Sequence, residues 1–231
     1  MRTDTGQISH LADYRATPYE VPEIALTFAL APDATVVTAT TTFRARGEDR
    51  PPLVLEGDGL ALTELMLNGA PLDSSAYEAT THQFILHHPP EGSFTLTIGT
   101  KVSPQANSEL MGLYRSNGVY CTQCEAEGFR RITYHYDRPD VLSVYTVKIL
   151  ADGATTPVLL SNGNLVEEGV EDGRAFALWH DPFPKPSYLF ALVAGDLDVL
   201  KDSFRTMDGR EVALAIYVET GKAPRAAYAM D

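Results

Sequence analysis

Cysteine is nearly absent from this chain of 231 residues, which has two, Cys121 and Cys124, and a single tryptophan. Two cysteines cannot form a disulfide framework, so the core must hold the fold, and a reducing cytoplasm is the expected compartment. Positive charge is also scarce: 18 Lys and Arg stand against 31 Asp and Glu, a formal charge of −13. That balance argues against a nucleic-acid or anionic-membrane partner, since both need a basic patch. No uninterrupted apolar run approaches membrane-spanning length, and the opening stretch MRTDTGQISHLADYRATPYEV carries no apolar signal core. Internal repeats, low-complexity tracts and charge blocks are missing too.

What the sequence does have is alternation. Ile24, Leu26, Phe28 and Leu30 fall on one side of an extended chain, as do Phe94, Leu96 and Ile98, and again Val212, Leu214, Ile216 and Val218. Between such runs lie turn signals: LNGAPL at 67–72, SNGN at 161–164, and Asp-Gly at 172–173 and 208–209. These pairs readily take positive φ in tight hairpins. The pattern predicts an all-β, mainly antiparallel chain of roughly a dozen short strands. One boundary is expected near 197–203, where the proline-rich DPFPKPSYLFALVAGD, an entry into a strand, gives way to a hairpin turning at MDGR. Pro224 then opens a helix with no room to continue.

The stretch CTQCEAEGFRRITYHYDRPDV, from Cys121 to Val141, raises the functional question. A structural zinc site needs about four ligands. Here there is one cysteine pair, and His10, His82, His87, His88, His135 and His180 show no metal-binding spacing, His87-His88 reading as a solvated turn. A redox dithiol belongs at a helix start, yet no apolar helix follows Cys124. If 121–127 is extended, Gln123, Glu125 and Glu127 share a face opposite Cys124 and Ala126. That acidic face, beside a glycine (Gly128) admitting close approach, could receive a cationic group. Equally, it could be a polar strand face paired with Arg130 or Arg131.

The segment YCTQCEAEGFRRITYHYDRPDVLSVYTVKI resembles the corresponding part of the bacterial aminopeptidase N family, zinc aminopeptidases of the gluzincin type. HLADYRATPYEVPEIALTFAL, LLSNGN at 159–164 and WHDPFPKPSYLFALVAGDLDVLKDSF at 179–204 agree in order, so the likeness runs essentially end to end. The resemblance implies a saddle-shaped, β-sandwich-like N-terminal domain over residues 1–198. Residues 199–231 would then be the first hairpin of a truncated thermolysin-like catalytic domain. In that family a Q-x-E-A pattern reaches the active site. It maps onto Gln123, lining the pocket for the substrate's first side chain, and Glu125, binding its free α-ammonium; a cis peptide at Glu125–Ala126 is also implied. Glu127 is read as a structural ion-pair partner.

An amine anchor has a physical rationale, because only the chain end carries –NH₃⁺ and a carboxylate is ionised at neutral pH. The family's HExxH helix, its downstream glutamate, the G-x-M-E-N loop and the transition-state tyrosine have no counterpart here. The expectation is therefore a fragment with no catalytic or metal-binding residue of its own, inactive alone, whose parent needs zinc and the missing catalytic domain. The parent's substrates would be peptides with a free N-terminus. The alternative is a stand-alone, non-catalytic β-sandwich binding module.

Overall fold

The computed structural model describes residues 10–231. The first nine residues of the opening stretch lie outside that range. Four sheets hold the strands of the described residues. The largest has eight strands in the spatial order β13 (Asn164–Glu171), β14 (Arg174–Pro186), β11 (Leu142–Ala151), β1 (Tyr19–Ala29), β2 (Thr35–Ala45), β8 (Ser93–Val102), β4 (Ala61–Leu67) and β5 (Ala70–Pro71). A four-stranded sheet runs β12 (Val158–Ser161), β15 (Leu192–Gly195), β10 (Val119–Gln123), β9 (Gly112–Ser116). A third has three strands, β3 (Leu53–Glu56), β7 (Gln83–Leu86) and β6 (Tyr77–Ala79). The fourth is a ribbon of β16 (Leu197–Arg205) and β17 (Glu211–Glu219). The described strands thus exceed the dozen expected, because β5, β6 and other pieces are too short to leave a periodic signal.

Pairing is antiparallel except between β1 and β11, which run parallel from Glu23↔Val144 to Ala29↔Leu150. The fold class is the all-β, sandwich-like one expected. Its two layers arise because the large sheet is covered on one face by two smaller sheets, each over its own core. In one core, Ile24, Leu26 and Phe28 of β1 meet Leu113 of β9, Tyr120 of β10 and Leu192 of β15. In the other, Tyr19, Val21, Phe43 and Phe94 meet Leu55 of β3 and Phe84 of β7.

Strand β1 serves both cores through a bulge between Glu20 and Glu23. A one-residue slip moves the inward set from odd to even positions. Tyr19 and Val21 therefore point inward before the bulge, and Ile24, Leu26 and Phe28 after it, all at 2% exposure or less.

Turn signals had mixed outcomes. Asn68-Gly69 and Asp172-Gly173 take positive φ at both residues and close the β4–β5 and β13–β14 hairpins. At 208–209 only Gly209 is left-handed, and Thr206 N–H donates to the Arg210 carbonyl at 2.9 Å across a wider turn. Asn162-Gly163 closes no hairpin: β12 pairs with β15, while β13 pairs with β14. Gly163 is needed there for packing as well as for its φ of 84°, since a Cβ would lie 2.3 Å from the His180 carbonyl oxygen.

The prolines of that stretch lie at the end of β14, and the chain then enters β15 after a short turn at Ser187–Leu189, as expected. Beyond His180, β13 no longer pairs, so Pro182, Pro184 and Pro186 occupy a stretch with one open edge. The expected hairpin near the end of the chain is present, with register Leu197↔Glu219 to Arg205↔Glu211. Its apolar set, Val212, Leu214, Ile216 and Val218, is half-buried. A terminal turn, Ala223–Ala226 followed by Ala227–Met230, packs against the ribbon.

Candidate functional site

The site segment begins with a hairpin. Asn117 and Gly118 both have positive φ and join β9 to β10, with Cys121 opposite Tyr114 and Gln123 opposite Gly112. This Asn-Gly pair is one the sequence reading passed over, although the signal was the same as at 68–69. Strand β10 also pairs with β15 at Tyr120 and Cys121, and Thr122 Oγ1 accepts from the Leu192 amide at 2.8 Å. The strand then stops at Gln123.

The extended reading of 121–127 therefore needs correction. After Gln123 the chain turns, the Glu125–Ala126 peptide is cis, and the Gly128 amide donates to the Cys124 carbonyl at 2.8 Å. Gly128 does permit close approach, but of its own chain. A Cβ there would sit 2.4 Å from the Gln123 carbonyl oxygen and 2.9 Å from Cys124 Cα. No side chain fits, so this turn requires glycine.

Both sides of the turn are pinned. Cys124 is 2% exposed within the first core. Phe129 is fully buried, packing edge-on against Phe190 at 5.4 Å and against the ring of His135 at 5.1 Å. Past Phe129, Ile132 stays in the first core while Tyr134, Tyr136 and Val141 enter the second. The His135 and Glu56 backbones bond each other reciprocally, at 2.9 and 3.0 Å, joining the segment to the three-stranded sheet. Because His135 is entirely buried and neither ring nitrogen has a hydrogen-bond partner among the described residues, its pKa is pushed down to about 4.

A buried polar knot lies beneath the turn. The Asp137 carboxylate accepts from the Arg130 amide at 3.1 Å, from Arg130 Nε at 3.1 Å and from Ser187 Oγ at 2.6 Å. Arg130 Nη2 donates to the Asp137 carbonyl at 3.0 Å and lies 3.4 Å from the Glu127 carboxylate. Glu127 is thus a structural ion-pair partner, as expected. The sequence hinted at this through the i, i+3 spacing of Glu127 and Arg130, but nothing in it pointed to Ser187.

What remains in solvent is the tip: Gln123, Glu125, Ala126 and Glu127 are exposed. Gln123 Nε2 donates to the Glu125 carbonyl at 3.2 Å, which draws the two candidate residues together. The Glu125 carboxylate has no hydrogen bond or ion pair among the described residues, although Arg130 and Arg131 lie close in sequence. Arg130 is taken by Asp137 and Glu127, and Arg131 by Glu109 and Asp58. The tip carries one uncommitted carboxylate on a fixed backbone.

The thiols have no comparable role. Both are free, and burial raises both pKa values, that of Cys124 far above the ordinary thiol range. A metal-ligating or redox thiol needs the opposite shift. Among the described residues no group of three or more His, Cys, Asp and Glu is gathered to hold a metal ion. These donors do not fit a zinc centre.

Comparison with known proteins places these features in a family. Residues 21–189 match the peptidase M1 N-terminal domain. Aminopeptidase N of Caulobacter vibrioides is 53% identical over 232 residues, spanning the whole of this chain and 27% of the relative. Aminopeptidase N of Escherichia coli is 49% identical, over 99% of this chain and 26% of its own length. The crystal structure of Legionella pneumophila aminopeptidase A in complex with aspartic acid superposes with a TM-score of 0.90 at 34% identity. That match covers 96% of this chain and 26% of the other. The chain thus spans about a quarter of the length of the curated relatives it matches. With its two-core β body and the turn that projects from it, this chain belongs to the peptidase M1 family as an N-terminal domain.

Proposed function

We propose that this domain serves a zinc-dependent aminopeptidase by anchoring the α-ammonium of a peptide substrate on Glu125 and by lining the first side-chain pocket with Gln123. The observation that carries the reading is the exposed, uncommitted Glu125 carboxylate on a turn pinned by Cys124 and Phe129. An ionised carboxylate held in this way accepts charge-assisted hydrogen bonds from an ammonium group. Fixing the amine at a set distance from the reacting centre presents the first peptide bond for attack. Zinc, which polarises the carbonyl and activates water, would come from a catalytic domain that is the partner of this one, and the 231-residue chain alone hydrolyses no aminoacyl reporter. Cytoplasmic residence belongs to the same proposal and rests on the scarcity of cysteine.

The test is Glu125→Gln in the complete enzyme. Removing one member of a desolvated charge pair costs roughly 2–5 kcal/mol, so kcat/KM should fall about 30-fold to several thousand-fold. Cys124→Ala serves as the comparison and should retain most of the activity of the folded enzyme. Near-normal kcat/KM for the glutamine variant on peptides with a free N-terminus would show that the amine anchor lies elsewhere.

A further inference from the structure

At the other end of β10, a cavity of about 490 Å³ opens beside Tyr120. It is lined by Arg115 of β9, Arg174 at the start of β14, Thr155 and Thr156, with Leu30 and Pro32 among its apolar wall. That volume lies within the range of small-molecule sites. We propose that it binds a small organic anion, whose carboxylate or phosphate group is held between the guanidinium groups of Arg115 and Arg174 and the hydroxyl of Tyr120.

The two arginines bring positive charge without a carboxylate partner to one cavity in a chain of net charge −13. Arg44, Arg46, Arg50, Arg130, Arg131 and Arg138 all have carboxylate partners. Arg115 and Arg174 have none among the described residues; the same holds for Arg15, Arg205, Arg210 and Arg225, but only Arg115 and Arg174 line this cavity. Each is instead oriented by neutral acceptors. Arg115 Nε donates to the Gly118 carbonyl and Nη1 to Gln105 Oε1, both at 3.1 Å. Arg174 Nη2 donates to the carbonyls of Leu30, at 2.6 Å, and Leu150, at 2.9 Å, the ends of the parallel strands β1 and β11. Arg115 Nη2 and Arg174 Nε and Nη1 keep free donors among the described residues.

Tyr120 is only 4% exposed, lies under the Arg115 guanidinium at 5.2 Å, and its hydroxyl makes no hydrogen bond among the described residues. Both arginine charges act on that hydroxyl to lower its pKa against the larger upward effect of burial. The opposing charges are Asp152, which itself lines the cavity, and Asp33, whose charge acts on the Tyr120 hydroxyl. Both are exposed, and the Asp152 carboxylate already accepts from the Ala154 amide at 3.0 Å and Thr155 Oγ1 at 3.3 Å. Water screens such exposed carboxylates more than it screens half-buried guanidinium groups. Preoriented, unpaired forks of this kind match the planar oxygens of a carboxylate or phosphate.

The test is an NMR titration of the 231-residue chain with inorganic phosphate and, separately, with acetate, at ionic strength held constant with chloride. Saturable shifts should concentrate at the amides of Arg115, Tyr120, Thr156 and Arg174. Tighter binding of phosphate assigns the site to phosphate groups, and tighter binding of acetate assigns it to carboxylates. Arg115→Gln and Arg174→Gln should each weaken binding about 10- to 100-fold, and Tyr120→Phe about 2- to 10-fold. If Arg174→Gln fails to fold because it bridges two strand ends, Arg115→Gln alone decides. The proposal is overturned if neither ion produces saturable shifts at these residues, or if folded Arg115→Gln binds as tightly as the unchanged chain.

Discussion

Two parts of the molecule leave the β body, and they do so in opposite ways. The turn at 123–128 shows solvent its polar side chains while the backbone on both sides is locked by Cys124, Phe129 and the Asp137–Arg130 knot. Among the described residues the β16–β17 ribbon pairs only with itself and leaves apolar side chains partly open, with Phe204 58% and Tyr217 38% exposed. The first is exposure on a rigid support, the arrangement a binding residue needs. The second is a surface with little core beneath it. An exposed residue informs about function only through what holds its backbone.

The sharpest way to break this comparison is to delete one phenylalanine from each part. Phe129→Ala should cost about 3–5 kcal/mol, as expected for a fully buried aromatic. Phe204→Ala, at 58% exposure, should cost under about 1 kcal/mol. Urea unfolding of both variants measures this, and equal costs would mean that the ribbon has a core of its own.

The next effect is one of pH. Burial lowers the folded-state pKa of His135 from 6.5 to about 4, so between those values the unfolded chain holds more protons. Stability from this group is complete above about pH 6.5, falls as the pH drops toward 4, and levels off below it, a loss of about 3 kcal/mol. Glu56, raised by burial, works the other way as the pH falls. The difference between wild-type and His135→Leu stability profiles isolates the histidine, and a flat difference from pH 7 to 4 would refute its buried neutral state. In the ribbon, Asp208 is lowered chiefly by the Thr206 hydroxyl, so its contribution is lost only as the pH falls below the ordinary carboxylate range. The two regions should respond in separate pH windows.

Hydrogen exchange sharpens the contrast further. Amides of β10 and β11 should open near the global unfolding free energy, and those of β16 and β17 well below it. Protection of the ribbon equal to that of β11 would remove the distinction. The smallest effect is expected at Met207, fully exposed at the ribbon turn, where Met207→Ser should change stability by no more than about 0.5 kcal/mol.

Much of the fold was legible in sequence because inward positions alternate in Ile24 to Leu30 and in Phe94 to Ile98, and alternation is a local property. The Asn-Gly and Asp-Gly pairs likewise encode positive φ. They do not encode which strands pair, so Asn162-Gly163 looked like a hairpin turn and instead passes the chain from one sheet to another. At the site, the Q-x-E-A pattern drew attention to Gln123 and Glu125, but strict alternation misplaced their surroundings.

By itself the sequence determined the all-β character, the inward faces of the regular strands and the polar residues of the turn, since each follows from backbone geometry over a few neighbours. Only the tertiary structure decided the rest. It set the bulge that lets β1 serve two cores and left no space for a side chain at Gly128. It also brought Ser187 to Asp137 across fifty residues, and Arg115, Tyr120 and Arg174 around one cavity. Those features depend on long-range strand order, and strand order is chosen by the burial of whole faces rather than by any local signal.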